Sequence, residues 1–251
     1  MLRIEKEGRV AKVVLDRPDK HNALNAELIQ AITDAFRQLS TDASVKVVSL
    51  SGEGKSFCAG ADLNYMAEIA AFGKEENYQD SLRLADAFES IAACPKPVVA
   101  YAHGACLGGG AGLLAACDYV VSALDAQFGF TEARLGLAPS VISPYVVRKI
   151  GIGHARALFL SAERFDAETA LRIGLVNRLG DSADEVVRML LENGPVAMAA
   201  IKKLLSELPS WDSGQAREET ARLIANLRSG DEGQDGMKAF LERRKPRYQE
   251  E

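Results

Sequence analysis

A dense cluster of glycines marks the start of one predicted helix, in the segment Gly104-Ala105-Cys106-Leu107-Gly108-Gly109-Gly110-Ala111-Gly112. Each glycine in a helix is about 1 kcal/mol less favourable than alanine, so some requirement must exclude the side chains. Tight packing of the helix against a sheet explains one or two of them. Backbone N–H groups that closely approach a ligand atom explain all of them, and they suit an anion or a developing oxyanion. The cluster therefore favours an oxyanion-binding helix start.

A second group of small residues precedes another predicted helix, in the segment Ser56-Phe57-Cys58-Ala59-Gly60-Ala61-Asp62-Leu63. Asp62 is suited to cap that helix. Taken alone, the pattern is equally typical of a simple glycine turn into a helix. Taken with the glycine cluster, it predicts that two helix starts each provide a backbone donor to one carbonyl oxygen, forming a divided oxyanion hole.

The candidate for proton transfer is Glu132, which ends the segment Gln127-Phe128-Gly129-Phe130-Thr131-Glu132. A carboxyl group among apolar side chains resists ionisation, and its pKa then rises toward values useful for general acid/base catalysis. The alternative is an exposed glutamate at the end of a strand, paired with Arg134. The residues alone do not decide between the two.

The composition excludes several other classes of function. The 251-residue chain has 47% hydrophobic residues and a formal net charge of −5, with both signs of charge mixed, which disfavours nucleic acid and membrane partners. The N-terminal residues carry charges where a signal peptide needs an apolar core, and no window resembles a membrane span, so a cytoplasmic protein is expected. Cys58, Cys94, Cys106 and Cys117 lie in apolar runs and are expected to be buried and reduced. With three remote histidines, no metal site is expected.

Alternating strands and helices surround these segments and predict an α/β fold. Apolar runs at residues 2–5 and 10–15 predict a hairpin, and helical spacing after Asn25 predicts a helix that ends near Ser40. The remaining predictions are strands at 45–50, 98–101, 119–121 and 127–130, helices at 75–93 and 108–116, a short helix after Asp62, and helices from Ser143 onward. A helical C-terminal region is expected to begin near residue 193.

Taken in order, these motifs resemble the enoyl-CoA hydratase/isomerase, or crotonase, superfamily. The resemblance covers nearly the whole chain and is carried by Asp16-Arg17-Pro18, Asn22-Ala23-Leu24, Phe57 to Leu63, Gly104 to Gly110, Ala116-Cys117-Asp118, Arg134 to Leu137 and Phe240 to Pro246. It implies a ββα superhelix in residues 1–192, which holds an acyl-CoA thioester. It also implies that residues 193–251 form a helical trimerisation region and a lid over coenzyme A, in a homotrimer or a hexamer of two trimers. No cofactor is implied, because coenzyme A is part of the substrate.

The resemblance also implies roles for particular residues. The N–H groups of Ala61 and Gly109 would bind the thioester oxygen, and Glu132 would transfer protons. The substrate-binding positions that match the family are Lys20, His21, Ala23, Ala59, Ala61, Asp62, Leu63, Asn64, Gly109, Phe240 and Arg243. Taken singly, each charged residue among them is more typical of a solvated surface, and Arg243 would approach coenzyme A from a neighbouring subunit.

The sequence departs from the best-known hydratases at one catalytic position. Those enzymes carry a glutamate three residues after the oxyanion glycine, where this chain has Gly112, whereas their second glutamate matches Glu132. A single carboxylate allows hydration of an α,β-unsaturated acyl-CoA, and it equally allows a double-bond isomerase in which Glu132 shuttles the proton. A non-catalytic acyl-CoA-binding or RNA-binding relative is the third alternative. What replaces the missing carboxylate is left open.

The segment after Glu132 points to a subgroup by resemblance. Ser140-Val141-Ile142-Ser143-Pro144 is similar to bacterial 3-methylglutaconyl-CoA hydratases of leucine degradation. Such a substrate has a second carboxylate and requires a nearby cation. Arg83, Lys74 and His103 are the candidates, and the sequence does not choose among them.

Overall fold

The computed structural model describes residues 1–250, which form an α/β core followed by a helical C-terminal region, as predicted. The strands are β1 (Leu2–Glu7), β2 (Val10–Leu15), β3 (Val47–Gly52), β4 (Val98–Ala102), β5 (Ala105–Leu107), β6 (Tyr119–Ser122), β7 (Gln127–Gly129), β8 (Arg164–Asp166) and β9 (Arg178–Leu179). The helices are α1 (Ala26–Thr41), α2 (Leu63–Ile69), α3 (Lys74–Ala92), α4 (Gly109–Ala116), α5 (Ser143–Ser161), α6 (Ala167–Arg172), α7 (Asp184–Leu191), α8 (Pro195–Glu207), α9 (Ser213–Ser229), α10 (Asp231–Glu242) and α11 (Arg247–Glu250). Short 3₁₀ helices cover Pro18–Lys20, Glu132–Leu135 and Leu208–Ser210.

Two sheets form the core. The larger has the order β1-β2-β3-β4-β6-β9, in which β1 and β2 are antiparallel and the later neighbours are parallel. The smaller has the order β5-β7-β8, with β5 parallel to β7. Because parallel strands end at the same edge, the loops after β2, β3 and β4 emerge together. The segments that contain Lys20 and His21, Ala61, and Gly109 lie in these loops or directly beyond them.

Helix starts near this edge have the caps that the sequence indicates. The Asn25 side chain accepts a hydrogen bond from Leu28 N and begins α1, while Asp62 accepts one from Asn64 N and begins α2. Both caps satisfy N–H groups that lack a partner within the helix. Helix α4, in contrast, has no side-chain cap and is buried from Gly110 to Ala116. Its apolar composition on every side agrees with its central position.

The C-terminal helices contact the larger sheet near the first residue of β3, at the end of the strands opposite to the loops after β2, β3 and β4. Glu232 of α10 accepts hydrogen bonds from the first backbone N–H groups of α8, and Asp235 of α10 pairs with Arg244. Lys46, which immediately precedes β3, donates to the Tyr248 carbonyl at 2.8 Å. A boundary at residue 193 between two units remains a prediction. Among residues 1–250, no helix combines the length and apolar character that crossing a bilayer requires.

Candidate active site

Two short backbone ladders hold the small-residue segments together. Cys58 N donates to Ala105 O and Leu107 N donates to Cys58 O, both at 3.0 Å, so Cys58 pairs with Cys106. On the other side, Leu24 N donates to Gly60 O at 2.7 Å and Asp62 N donates to Leu24 O at 2.9 Å. The segment around Ala61 therefore lies between the loop after β2 and the strand that leads to Gly109.

The backbone N–H groups of Ala61 and Gly109 remain free to bind a ligand. Within the described part of the chain, neither donates to a protein acceptor. Gly109 is the first residue of α4, so no carbonyl lies one turn earlier to receive its hydrogen. A Cβ atom on Gly108 would lie 3.9 Å from the Cα atom of Gly60, which shows how closely the two segments approach. This is the arrangement expected of a divided oxyanion hole.

The glycine cluster is also required by packing. A Cβ atom on Gly110 would lie 2.2 Å from the Cys58 carbonyl oxygen, and one on Gly109 would lie 2.7 Å from Leu24 Cδ1. Gly108 has a φ of +51°, which glycine adopts readily and other residues rarely adopt. Close packing therefore excludes side chains at Gly109 and Gly110, while the N–H group of Gly109 has no protein acceptor among the described residues.

Glu132 lies beside this pair of donors. It begins the 3₁₀ helix after β7, and its Oε1 atom is 3.3 Å from the position of a Cβ atom on Gly108. Its Oε2 atom is buried and has no hydrogen-bond partner among the described residues. Burial raises the pKa of the Glu132 carboxyl group, against a smaller opposing effect of its own backbone hydrogen bond. Arg134 is exposed, and the ion pairs of the described chain do not join it to Glu132. Glu132 is therefore neither fully exposed nor paired with Arg134, and its role in proton transfer remains a prediction.

An ion pair that the sequence analysis did not identify fixes the start of α2. Arg17 donates to Asp62 Oδ2 at 2.8 Å and also to the Ala23 carbonyl, while Asp62 Oδ1 accepts from Asn64 N. The side chains of Arg17 and Asp62 are only 14% and 8% exposed. The Asp62 carboxylate is thus occupied by protein partners directly after Ala61. In the sequence, Arg17 stands out only as part of the family motif Asp16-Arg17-Pro18. That motif does not indicate that Arg17 pairs with Asp62.

The remaining predicted binding residues in the first half of the chain lie at the rim of the site. The carbonyl of His21 accepts from Ala59 N at 3.0 Å, and its Nδ1 atom lies 3.1 Å from Ser56 Oγ. Lys20 and Asn64 are exposed, and Leu63 is 81% exposed. The structure therefore brings the segments 20–23 and 59–64 together beside the free N–H groups.

Phe240 and Arg243 lie elsewhere. Phe240 is 83% exposed on α10, and Arg243 ends that helix with a left-handed φ of +56°. The C-terminal residues that follow Arg243 are held near the first residue of β3, where Lys46 donates to the Tyr248 carbonyl. The segments that contain Ala61 and Gly109 follow the last residues of β3 and β4. Among the described residues, no hydrogen bond or ion pair joins Phe240 or Arg243 to the segments around Ala61 and Gly109.

Other chemically notable groups near the site are buried or contact neighbouring residues. The four cysteines are buried free thiols, as predicted, and burial raises the pKa of Cys58 to about 12. His103 stacks on Tyr101 and its Nε2 atom lies 3.1 Å from the Gly54 carbonyl oxygen. Residues 1–250 contain no cluster of three or more His, Cys, Asp or Glu side chains arranged to hold a metal ion.

Comparisons with known proteins agree on one family. The sequence model of the enoyl-CoA hydratase/isomerase family matches residues 5–251. The chain is 36% identical to a putative enoyl-CoA hydratase of Thermus thermophilus, over 99% of this chain and 100% of that protein. It is 32% identical to the short-chain-enoyl-CoA hydratase of Clostridium acetobutylicum, over 96% and 95%. The crystal structure of an enoyl-CoA hydratase from Shewanella pealeana superposes with a TM-score of 0.95 at 37% identity, over 98% of this chain and 94% of that one.

Proposed function

The chain belongs to the enoyl-CoA hydratase/isomerase family, and from that premise we propose that it is a hydratase that adds water to an α,β-unsaturated acyl-CoA thioester. The observation that carries this proposal is the pair of free N–H groups, on Ala61 and Gly109, beside the desolvated carboxyl group of Glu132. A thioester carbonyl between the two donors would place its unsaturated carbons next to that carboxyl group.

The proposed reaction proceeds through an enolate. Glu132 takes a proton from a water molecule as the water oxygen bonds to the β carbon, and the electrons of the double bond move onto the thioester oxygen. The N–H groups of Ala61 and Gly109 stabilise that negative charge, and one such donor contributes a factor of about 10²–10³ to the rate. The α carbon then takes a proton from Glu132 or from water, and the enolate returns to a thioester. Coenzyme A remains attached throughout, so no cofactor takes part.

The coenzyme A part of the substrate would be held by groups around this centre. Lys20 and His21 supply positive charge or hydrogen-bond donors for its phosphates next to Ala59. Phe240 and Arg243 are exposed, and no hydrogen bond or ion pair of the described residues joins them to the chain's own centre, so they would contact coenzyme A bound by another copy. This arrangement supports a homotrimer or a hexamer of two trimers, and light scattering of the purified protein tests it.

Among acyl groups, we propose 3-methylglutaconyl-CoA, on the similarity of the Ser140–Pro144 segment to enzymes of leucine degradation. Among the three candidate cations we choose Arg83 for its second carboxylate, because its partner Asp80 also accepts a hydrogen bond from the Tyr65 hydroxyl on α2. Its guanidinium is tied to Asp80 through one nitrogen at 2.9 Å, and its side chain is 54% exposed, so other N–H groups remain available. Replacement of Arg83 by methionine should raise the KM for this substrate and leave that for crotonyl-CoA unchanged.

The test is to incubate the purified protein separately with crotonyl-CoA, 3-methylglutaconyl-CoA and a β,γ-enoyl-CoA. Enoyl-thioester absorbance and product mass are followed together. Gain of one water on an α,β-unsaturated substrate supports the hydratase and ranks the acyl groups. A change of absorbance at constant mass indicates an isomerase, which the single carboxylate also permits. Binding of these thioesters without any conversion would overturn the enzymatic proposal in favour of a binding protein.

A further inference from the structure

One face of α4 carries both Gly109, the proposed oxyanion donor, and Gly112, which follows one turn later. Cβ atoms on these two glycines would both meet the ring of Phe88, at 3.9 Å from Gly109 and 3.1 Å from Gly112. A side chain at residue 112 would therefore project from the same face as the donor.

Ile142 fills the space that such a side chain would need. A Cβ atom on Gly112 would lie 2.3 Å from Ile142 Cγ2 and 2.9 Å from Ile142 Cβ, and real Cβ atoms essentially never approach closer than 3.0 Å. Ile142 is 3% exposed and immediately precedes α5, and Phe88 on its other side is fully buried. Neither neighbour has free space to move into, because protein interiors are closely packed.

We propose that Ile142 determines the reaction by keeping any second acid/base group off this face of α4, so that Glu132 acts alone. The inference deepens the proposed function and rests on it. The side-chain atoms nearest to the Cβ positions of Gly109 and Gly112 belong to Leu24, Phe88 and Ile142, which have no exchangeable proton. Glu132 must then take the proton from water, and the α carbon receives its proton from Glu132 or from water. In the hydration direction, kcat/KM should depend on a single ionisation.

The steric part is tested without any activity. Gly112→Ala should lower the Tm of the otherwise unchanged protein, because the added methyl group overlaps Ile142. In the Ile142→Gly protein the same change should lower the Tm much less or raise it, because the overlap with Ile142 is gone and Phe88, 3.1 Å from the new Cβ atom, can move into the vacated space. Gly153→Ala is the control, since a Cβ atom there meets nothing within 4 Å, and its effect should be equal in both backgrounds. Equal Tm changes for Gly112→Ala in both backgrounds would overturn the inference.

The chemical part uses the pair Gly112→Glu/Ile142→Gly and its matched control Gly112→Gln/Ile142→Gly. The glutamate protein should gain a second ionisation in the pH profile of kcat/KM. It should also shift the ratio of hydration to isomerisation at least about tenfold relative to the glutamine protein, as expected for an added acid/base group. Identical pH profiles and ratios would show that residue 112 does not face the reacting atoms. If the unaltered protein converts no enoyl-CoA, the proposed function fails, whereas the Tm comparison still tests the role of Ile142.

Discussion

The buried ion pair between Arg17 and Asp62 gives the most quantitative prediction about the site. Replacing Arg17 by methionine removes the guanidinium but keeps a long side chain. The Asp62 carboxylate, 8% exposed, is then left with its hydrogen bond from Asn64 N, and the Ala23 carbonyl also loses its donor. Removal of one partner of a buried pair destabilises a protein by about 3–5 kcal/mol. We expect a loss near the lower end, about 3 kcal/mol, because the cap on α2 remains.

Urea unfolding of the two proteins at neutral pH measures this loss. The matched control is Arg37→Met, which removes an exposed partner of Asp86, with side chains 61% and 58% exposed, and should change stability by less than about 1 kcal/mol. Because Asp62 directly follows Ala61, Arg17→Met should also lower kcat more than it raises KM. A loss of stability no larger than that of the control would refute the buried-pair account.

The pH dependence of this loss follows from the pKa of Asp62. Its hydrogen bond with Arg17 holds the pKa of the folded carboxyl group below its usual value, and the unfolded value is about 3.9. The stabilisation is therefore fully present at neutral pH and disappears as the pH falls through the folded pKa. The difference between the two proteins should shrink below about pH 4. A difference that stays constant in acid would show that the charge of Asp62 does not contribute.

Three further results are expected. Gly110→Ala should lower kcat at least about 100-fold, because its methyl group would lie 2.2 Å from the Cys58 carbonyl and displace the donors, whereas Gly153→Ala should leave kcat unchanged. For hydration, kcat/KM should rise with pH through an inflection above 4.5, because burial raises the pKa of Glu132 and the ionised form accepts the proton; an inflection at or below 4.5 contradicts this. Mixed oligomers of Glu132→Gln chains and Phe240→Ala/Arg243→Ala chains should be more active than either parent oligomer, because an intact Glu132 can then meet an intact Phe240 and Arg243 from another copy. Activity no higher than that of the better parent would show that Phe240 and Arg243 do not act in a neighbouring copy's site.

Local signals predicted much of the fold. The β1–β2 hairpin, α1 with its Asn25 cap, and the Asp62 cap of α2 are confirmed, because each depends on residues close together in the sequence. The sequence analysis missed β5, β8 and β9, which have two or three residues each. Such short strands show no periodicity, and their pairing depends on distant partners.

The sequence likewise indicates only those parts of the candidate site that depend on residues close together in the chain. The glycine cluster around Gly109 is recognisable because four glycines in five positions exceed ordinary packing needs, and the segment around Ala61 gains its meaning only beside that cluster. The absence of a carboxylate at Gly112 is equally visible in the sequence. That Ile142 fills its place is not, since the contact joins residues far apart in the chain and depends on side-chain packing. The role of Arg17 was missed for the same reason.

The central claim is that Glu132 transfers the proton while the two backbone donors hold the thioester. The most direct test compares the turnover and the binding of crotonyl-CoA for the unaltered protein, Glu132→Gln and the exposed control Glu168→Gln. We predict that Glu132→Gln lowers turnover at least about 100-fold, with a Kd for the thioester within about threefold of the original, and that Glu168→Gln changes neither. Turnover of Glu132→Gln within about tenfold of the unaltered protein would contradict the account.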